Sequence, residues 1–560
     1  MPASAQIAER TSKARPADAA TESWVRVCAL EELQRDGRKL VKVGRKQIVL
    51  FHGPKGIFAC NNRCPHEGYP LIEGSLTDGC ILTCNWHNWK FDLEGGRTLV
   101  GGDRLRRYPL RIEEGAVWLD VSDPPAAERA AEALDSLRDT LEDHEYDRMA
   151  REIARLQRTG SDPLEAVRQA IAWTHDRFEF GTSHAHAAAA DWLFLRESFA
   201  RDEAERLVPL VEIVGSLAWD SLREPHYRYP AASAAFEPDR LVAAIEDEDE
   251  AAAIAQLRGA LAQGLGFAAL ERPLARAALA HYQDFGHSAI YLYKTGQLIE
   301  RLGPSVTEPL LLLLVRSLVY APREDLIPEF RAYGPSLAAW DGPRDGPRDG
   351  PKDGPKDDGG ARRVAAEDFL GLDVKRALAL TLEARGDLPA LYDALLGVGA
   401  YYMLHYDMGY QEGTEGPVSH NVGWLDFTHH VTFANAARAL CTRYPELWPQ
   451  ALLQLACFAG RNAAFVDRAL DASGWQVGDP RAFLDGEIAR LFDHGQPEYI
   501  VSAHLVKLLV AAREEVLAAP DAPWAADLLA SVNRFLQSPL KRKHATRVAR
   551  QAMGFVALEG

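Results

Sequence analysis

The sequence carries CPHEGYPL at residues 64–71 and CNWHNWKFD at residues 84–92. Together they give a Cys-x-His pair, seventeen intervening residues and a Cys-x-x-His pair. Pro, Gly and Asn within and beside the pairs favour tight turns, so each pair can direct both side chains at one metal ion. Two thiolates and two imidazoles suit a [2Fe–2S] cluster with mixed ligands, and they also suit tetrahedral zinc. The candidate ligands are therefore Cys64, His66, Cys84 and His87.

The residues around these pairs predict a small antiparallel β domain. Between residues 23 and 123, short apolar runs such as KQIVLFH (46–52) and AVWLDV (116–121) alternate with Gly, Pro, Asn and Asp. After Pro124 and Pro125 the sequence becomes rich in Ala, Leu, Arg and Glu with helical periodicity. We therefore expect a multidomain chain, with an all-β domain over residues 23–123 and a large, mainly α-helical domain over residues 124–560.

Two segments lack the composition of folded structure. Residues 1–22 are rich in Ala, Ser and Thr without an apolar stretch, which predicts a disordered tail rather than a signal peptide. Residues 342–360 repeat a Gly-Pro-basic-Asp tetrad that cannot form a helix or bury apolar surface. This repeat predicts a solvated loop within the helical domain, and the alternative is a linker between two subdomains.

The two ligand stretches closely resemble the cluster loops of Rieske ferredoxins and Rieske oxygenases. The resemblance covers roughly residues 24–123. It implies a Rieske-type [2Fe–2S] cluster in which Cys64 and Cys84 bind one iron and His66 and His87 bind the other. Such a cluster transfers single electrons and is not itself a substrate site.

Two further cysteines lie near the ligand pairs. High-potential respiratory Rieske proteins carry an additional cysteine in each cluster loop, and the two form a disulfide. Here Cys60 and Cys80 each precede a ligand cysteine by four residues, so we expect them in the core on the strands that lead into the loops. The resemblance then implies a reduction potential at the lower end of the Rieske range, at about −150 mV.

The ligand motif of ordinary Rieske oxygenases is incomplete in this sequence. That motif is Asp-x-x-His with a second histidine four or five residues later. Asp284 with His287 and Asp426 with His429 match its first part, but no histidine follows at the required distance. The catalytic domain of those enzymes also mixes sheet and helix, whereas this region is predicted to be almost entirely helical. An ordinary Rieske oxygenase is therefore disfavoured.

Four histidine-containing segments stand out in the predicted helical domain. They are GTSHAHAAAADWLF (181–194), QDFGHSAIYLYKTGQLIERLG (283–303), WLDFTHHVTFANAARAL (424–440) and EYIVSAHLVKLLVAAREE (498–515). A single histidine in such a setting is more often structural than metal-binding. Lys507 lies one turn after His504 in an apolar segment, where a lysine is costly to desolvate unless it is neutralised, paired or modified.

These segments resemble the motifs of the questin oxidase-like family, in which N-H-G-P, H-G-L-I, I-H-x-V-T and H-x-I-K occur in this order. The corresponding stretches are SHAH (183–186), HSAI (287–290), THHVT (428–432) and HLVK (504–507). Ser183 and His186 depart from the first motif, and the insert at Gly342 is foreign to the pattern. These departures leave His184 or His186, and His429 or His430, as alternative ligands.

The second resemblance implies a non-haem oxygenase that acts on polycyclic aromatic ketones or quinones. By position, a non-haem iron would be held by His184, His287, His429 and His504, although the same set would accept zinc or copper. Lys507 would be a catalytic residue, either as an oxygen ligand after carboxylation by carbon dioxide or as a buried base.

Charge and hydropathy limit the partners. The formal net charge of −17 disfavours binding to nucleic acid and to anionic membranes. The longest apolar patch, residues 309–319, is shorter than the roughly 18 residues of a membrane span, so we expect a cytoplasmic protein with no membrane partner. No dinucleotide-binding glycine motif follows a predicted strand. Electrons are therefore expected from an external reductase or ferredoxin.

The sequence as a whole favours a Rieske-dependent non-haem iron oxygenase that uses O2 to oxidise a small organic substrate. One alternative is an electron-transfer or redox-sensing Rieske protein whose helical part is a docking domain. The other is an ordinary Rieske oxygenase with a diverged ligand triad. An electron-transfer protein would contain the two irons of the cluster only, whereas an oxygenase would contain a third.

Overall fold

The structure is a computed structural model that describes residues 23–341, 363–540 and 544–558. The predicted tail over residues 1–22 and the predicted loop over residues 342–360 lie outside the described residues. The chain divides into two compact units, and the boundary lies between Glu132 and Ala133. We call the first the β unit and the second the helical unit.

The described part of the β unit contains ten strands and a short helix, α1 (Leu30–Asp36). The strands are β1 (Trp24–Ala29), β2 (Arg38–Val43), β3 (Lys46–Gly53), β4 (Gly56–Asn61), β5 (Ser75–Thr77), β6 (Ile81–Thr83), β7 (Lys90–Asp92), β8 (Thr98–Val100), β9 (Leu110–Glu113) and β10 (Ala116–Asp120). They form three antiparallel sheets in the orders β1-β10-β9, β2-β3-β4 and β5-β6-β7-β8.

Strand β3 separates two apolar cores. Ile48 and Leu50 pack into one core, and Val49 and Phe51 pack into the other, because successive side chains of a strand point to opposite faces. The core that contains Val49 also contains the side chains of Cys64 and other residues of both predicted cluster loops. The loops are thus anchored on a packed apolar surface.

The helical unit is built from α-helices joined by short connections. Its helices, together with α2, which spans the boundary, are α2 (Ala126–Glu142), α3 (Tyr146–Arg158), α4 (Glu165–Thr174), α5 (His184–Ser198), α6 (Glu203–Ser221), α7 (Pro238–Glu246), α8 (Glu250–Ala262), α9 (Phe267–Ala278), α10 (His287–Leu302), α11 (Thr307–Val319), α12 (Tyr333–Ala338), α13 (Ala366–Phe369), α14 (Val374–Ala384), α15 (Leu388–Leu404), α16 (Met408–Glu412), α17 (Trp424–Arg443), α18 (Trp448–Asn462), α19 (Pro480–Leu491), α20 (Tyr499–Ala518), α21 (Ala525–Gln537) and α22 (Ala545–Val556).

Four of these helices form the centre of the unit. Helix α5 packs on α10, α10 on α17, α17 on α20, and α20 on α5. Helix α5 presents a run of buried alanines from Ala187 to Ala190, and such small side chains permit close approach of neighbouring helices. Each of the four helices carries one of the histidines that the sequence proposes as metal ligands.

The predicted fold class is confirmed. A small antiparallel β unit precedes a large unit whose described residues are mainly helical. The prediction succeeded because turn residues divide the first part into short strands and because Ala- and Leu-rich segments of helical length dominate the second.

One described segment, Pro304–Leu326, is long and apolar enough to span a membrane by length and composition. Within its most apolar window, 61% of the residues are buried inside the structure. Helix α11 supplies most of this segment and packs against α7, α8 and α10. Such burial is what a core helix shows, so the segment is weak evidence for a membrane span.

Candidate metal centres

The first cluster loop joins β4 to β5 and folds into a tight turn at its cysteine. The Cys64 N–H donates to the Tyr69 carbonyl at 2.8 Å, and the Gly68 N–H donates to the Cys64 carbonyl at 2.8 Å. Gly68 has a left-handed φ of 80°, which glycine adopts without steric cost. The turn therefore brings the side chains of Cys64 and His66 to the same side of the loop.

The second cluster loop joins β6 to β7 and repeats this turn. The Cys84 N–H donates to the Trp89 carbonyl at 2.8 Å, and the Asn88 N–H donates to the Cys84 carbonyl at 2.9 Å. Asn88 takes the left-handed position with a φ of 59°, which asparagine tolerates better than most residues. The same backbone hydrogen bonds thus present Cys84 and His87.

The structure brings all four candidate cluster ligands together. Nδ1 of His66 lies 3.1 Å from Nδ1 of His87, and the Cys64 thiol is within hydrogen-bonding reach of the Cys84 thiol. Both cysteines are buried, whereas His66 is half-buried and His87 is exposed. Burial raises the pKa of Cys64 to about 11. A cationic metal is therefore needed to hold this side chain as a thiolate.

Cys60 and Cys80 form no disulfide, and all seven cysteines of the chain are buried. Cys60 lies in β4 as expected, with its side chain in the core between the sheets. Cys80 lies in the turn just before β6 rather than within the strand, and Lys55 Nζ donates to its sulfur at 3.3 Å.

The helical unit brings together histidines from four segments that are far apart in the sequence. His184 and His287 are the first residues of α5 and α10, and His429 lies within α17. Nε2 of His287 is 3.1 Å from Nε2 of His184 and 2.9 Å from Nε2 of His429. The ligand atoms of these three imidazoles all lie within 4.8 Å of one another.

His504 on α20 lies beside this group. Its ring centroid is 4.8 Å from that of His184 and 5.1 Å from that of His429. Its Nδ1 is 2.6 Å from the Ile500 carbonyl oxygen, one turn earlier in the same helix. His429 is held in the same way, with Nδ1 2.6 Å from the Leu425 carbonyl oxygen. Hydrogen bonds of this kind orient histidines that bind metals.

His287 is the first residue of its helix, so its Nδ1 contacts a carbonyl oxygen of the preceding turn rather than one within the helix. Asp284, Phe285 and Gly286 are consecutive residues with left-handed φ values of 45°, 51° and 80°. This turn places the Asp284 carbonyl oxygen 2.6 Å from Nδ1 of His287. The Glu324 carboxylate accepts a hydrogen bond from the Phe285 N–H at 2.9 Å and so holds the turn. Left-handed backbone is costly for Phe and less so for Asp, and such strain is common at functional sites.

These carbonyl contacts fix the tautomers of the rings. A carbonyl oxygen only accepts hydrogen bonds, so Nδ1 of His287 and Nδ1 of His429 each carry the proton of a neutral ring. Their Nε2 atoms then direct lone pairs at each other across 2.9 Å. Two lone pairs at this distance repel unless a cation lies beside them. The donor set therefore fits a metal ion.

The spacing of these nitrogens also fits ligands of one ion. Two nitrogens bound at about 2.1 Å to the same ion are about 3.0–3.4 Å apart for bond angles between 90° and the tetrahedral angle. The Nε2 separations of 2.9 and 3.1 Å agree with this spacing. Imidazole ligands suit iron, zinc and copper.

The structure separates the alternative histidines from this group. His186 is buried against Phe178 and accepts a hydrogen bond from the Ser183 N–H, which caps α5. His430 is fully buried and packs against Phe458. Of the two pairs, only His184 and His429 lie in the group of converging imidazoles.

The two aspartates of the incomplete Asp-x-x-His motifs do not join the converging nitrogens. The Asp284 carboxylate lies 3.6 Å from Nδ1 of His287, the ring nitrogen opposite Nε2. Asp426 accepts a hydrogen bond from the Gly423 N–H at the start of α17 and pairs with Arg461 at 3.1 Å. Neither carboxylate therefore serves as the third member of an ordinary oxygenase triad.

Lys507 lies one turn after His504, and its side chain is only 1% exposed. Its Nζ has no hydrogen-bond partner among the described residues. The neighbouring carboxylate of Asp191 is engaged instead by Lys294 at 2.7 Å, in a pair that is itself buried. Burial lowers the pKa of Lys507 to about 7, an effect that Asp191 opposes and Lys294 enhances. The amine is thus substantially uncharged near neutral pH.

The electrostatic environment also keeps imidazoles neutral. Burial lowers the pKa of His184 well below its usual value, and Lys507 and the neighbouring imidazoles contribute in the same direction. Burial and then the neighbouring imidazoles do the same to the pKa of His429. Neutral rings are the form that binds metal ions.

Sequence analysis missed three residues that shape this centre, namely Glu324, Asp191 and Lys294. Glu324 contacts a backbone N–H 39 residues away, and Lys294 contacts Asp191 across 103 residues. Lys294 does lie in an apolar helical segment, as Lys507 does. The same reasoning about desolvation would have marked it as a lysine in need of a partner.

Sequence comparisons relate the β unit to known proteins. The family model described as "Rieske [2Fe-2S] domain" matches residues 23–107. The chain is 31% identical over 103 residues to the ferredoxin component of the alkene monooxygenase system of Xanthobacter autotrophicus, which covers 18% of this chain and 84% of that protein. It is 35% identical over 102 residues to 4beta-methylsterol monooxygenase of Methylococcus capsulatus, which covers 16% of this chain and 27% of that protein. Among solved structures, the Sphingomonas yanoikuyae B1 ferredoxin is 24% identical, with a TM-score of 0.16 and coverage of 18% of this chain and 98% of that one.

The chain therefore belongs to the Rieske [2Fe–2S] protein family, whose members include ferredoxin components and oxygenases. The prediction of a Rieske domain is confirmed. Each of the three matches covers less than a fifth of this chain. The resemblance of the helical unit to the questin oxidase-like family stays a prediction.

The ligand set of the β unit can be tested by EPR spectroscopy. We expect the reduced protein to give a Rieske-type spectrum, because two of its four ligands are imidazoles. The substitution His66→Cys should shift this spectrum towards that of an all-cysteine cluster. Cys60→Ala is the matched control and should leave the spectrum unchanged, since Cys60 lies in β4 outside the loops. Purified protein that contains zinc and gives no such spectrum would refute the assignment.

The burial of Lys507 predicts a stability effect of unusual sign. In metal-free protein we expect Lys507→Met to raise the free energy of unfolding by about 1–3 kcal/mol at pH 7, because burial lowers the pKa of this lysine and so disfavours the protonated form that the unfolded chain adopts. The gain should shrink as the pH rises towards 10.5, the ordinary lysine value. Thermal unfolding of the wild type and the variant at pH 7 and pH 9 measures the gain in stability and its decrease with pH.

Lys294→Met is the matched control for this experiment. It should destabilise the protein, because it leaves the buried Asp191 carboxylate without its partner. Destabilisation of the Lys507→Met variant that is greater at pH 7 than at pH 9 would contradict the proposed state of Lys507.

Proposed function

We propose that the protein is a Rieske-dependent non-haem iron oxygenase. The Rieske cluster would be held by Cys64, His66, Cys84 and His87, and the iron by His184, His287, His429 and His504. The observation that carries the proposal is the convergence of three Nε2 atoms. Nε2 of His287 lies 3.1 Å from Nε2 of His184 and 2.9 Å from Nε2 of His429. Nδ1 of His287 and Nδ1 of His429 each lie 2.6 Å from a backbone carbonyl oxygen. When bound, the cluster supplies single electrons and the iron supplies a centre for activating O2.

The residues around the histidines support an aromatic substrate. The Phe285 ring lies 5.2 Å from the His429 ring and 5.4 Å from the Phe458 ring. Phe285 is half-buried, and the Arg461 guanidinium lies 4.9 Å from its ring centroid. An aromatic surface with a cation nearby suits a flat substrate that carries carbonyl oxygens. Together with the questin oxidase-like resemblance, this favours a polycyclic aromatic ketone or quinone.

Lys507 would act within the iron centre in one of two ways. Its uncharged amine can add to carbon dioxide and lose a proton, and the resulting carbamate offers oxygen ligands to the metal. Alternatively, the amine serves as a buried base that accepts a proton from substrate. The Nζ without a hydrogen-bond partner and the engagement of Asp191 by Lys294 both support the first role.

The oxygenase would depend on other proteins for its electrons. The ferredoxin and oxygenase relatives support an external reductase or ferredoxin as donor. The formal net charge of −17 disfavours binding to anionic membranes, and we propose that the protein works in the cytoplasm.

A second candidate is an electron-transfer protein whose helical unit is a docking domain. The match to most of a ferredoxin component favours it. An electron-transfer protein needs no metal in the helical unit, so it would leave the opposed lone pairs of His287 and His429 unexplained. Metal content therefore distinguishes the two candidates.

We expect three irons and two acid-labile sulfides per chain. Changing any one of His184, His287, His429 or His504 to Ala should remove the third iron and oxygen consumption, measured with polycyclic aromatic ketones and quinones. The Rieske spectrum should survive each substitution, since the cluster lies in the other unit. His186→Gln and His430→Gln are matched controls that should retain three irons, because neither ring joins the group. A wild-type chain with only two irons and no other metal would favour the electron-transfer protein.

We also expect the protein to need a separate electron donor. With NADH alone the cluster should stay oxidised, whereas dithionite or a ferredoxin reductase with NADH should reduce it. The bleaching of the visible absorption of the cluster measures reduction. Rapid reduction by NADH alone would show that the chain itself contains a nicotinamide-dependent reductase activity.

A further inference from the structure

Tyr291 is a buried residue for which the proposed chemistry has so far given no role. It lies on α10 one turn after His287, so the two side chains share a face of that helix. Its ring centroid is 5.1 Å from the His287 ring. Its hydroxyl oxygen is 3.5 Å from Nδ1 of His184. One helix thus supplies both a proposed ligand and a polar contact to a second proposed ligand.

His184 differs from the other three histidines in how its ring can be held. For His287, His429 and His504, a backbone carbonyl oxygen lies 2.6 Å from Nδ1. His184 is the first residue of α5, and Ser183 before it is extended, with φ −117° and ψ 178°. No preceding helical turn exists to offer a carbonyl. The Tyr291 hydroxyl occupies the corresponding position beside Nδ1.

The backbone at His184 is fixed independently of its ring. The Ser183 hydroxyl donates to the Asp220 carboxylate at 2.7 Å, and it accepts from the Ala185 N–H at 3.2 Å. Both contacts hold the first turn of α5 in place. What remains free is rotation of the imidazole about its side-chain bonds, and only a contact to the ring can limit that.

We propose that Tyr291 is a positioning residue, whose hydroxyl oxygen accepts a hydrogen bond from Nδ1–H of His184 and so directs Nε2 of that ring at the metal. The inference rests on the proposed iron centre. It assigns to His184 the same tautomer that the carbonyls impose on the other rings. It also explains why Nε2, rather than Nδ1, of His184 lies 3.1 Å from Nε2 of His287.

The test is Tyr291→Phe, which removes the hydroxyl and keeps the buried ring. Loss of the hydrogen bond should weaken metal binding in the helical unit by about 10–100-fold, the usual effect of removing a group that orients a metal-bound histidine. Equilibrium dialysis of Fe(II) under argon measures the affinity of protein whose Rieske cluster is intact. The EPR spectrum of the nitric oxide adduct of the loaded protein should also change in rhombicity, because the His184 ring can then rotate.

Tyr293→Phe is the matched control on the same helix. The Tyr293 hydroxyl donates to Glu514 at 3.1 Å and does not contact the histidines, so affinity and spectrum should match those of the wild type. The Rieske spectrum and thermal unfolding show that each variant is folded. A purely structural role for Tyr291 would lower the unfolding temperature and leave the nitric oxide spectrum unchanged.

The outcomes separate this inference from the proposed function. If the wild type binds the third iron and Tyr291→Phe binds it with equal affinity and an identical spectrum, the role of Tyr291 is refuted and the iron centre stands. If the wild type binds no metal in the helical unit, the proposed iron centre and the proposed role of Tyr291 are both refuted.

Discussion

Backbone carbonyl oxygens set the tautomers of the histidines inside the helical unit. They lie 2.6 Å from Nδ1 of three imidazoles, so Nδ1 carries the proton and Nε2 carries the lone pair of each neutral ring. A histidine within a helix can make this Nδ1 contact without help from other residues, because the backbone carbonyl one turn earlier is always present. His429 and His504 use that carbonyl. His184 and His287 begin their helices, and the unusual features of the site, a left-handed turn and a tyrosine contact, occur beside these two residues.

The position of each ligand pair in the β unit was predictable from local sequence alone. Each pair spans three or four residues, and the turn that presents it is closed by hydrogen bonds within the same loop. The presence of four helices that carry histidines was predictable from motifs of similar length. The choice between His184 and His186 was not, because neighbouring helical residues point in different directions and the sequence does not show which direction faces the centre.

The partners in the contacts that complete the helical site could not be predicted from the sequence. The Asp-x-x-His motif points to the carboxylate of Asp284, yet the backbone carbonyl of Asp284 contacts His287. Glu324 holds that turn from 39 residues away, and Lys294 engages Asp191 from 103 residues away. Periodicity and motif spacing report on local structure, whereas these contacts depend on how distant helices pack.

The left-handed turn before His287 lowers the free energy of unfolding of the protein. Phe285 costs roughly 1–2 kcal/mol in this conformation and Asp284 costs less, and glycine at residue 285 would remove most of that cost. Glycine at residue 285 would also remove the ring that contacts His429 and Phe458. Selection for heat resistance alone would therefore favour glycine here, whereas selection for the proposed oxygenase activity would keep the phenylalanine. In laboratory evolution of this protein, residue 285 is therefore a position where selection for stability and selection for activity would favour different amino acids.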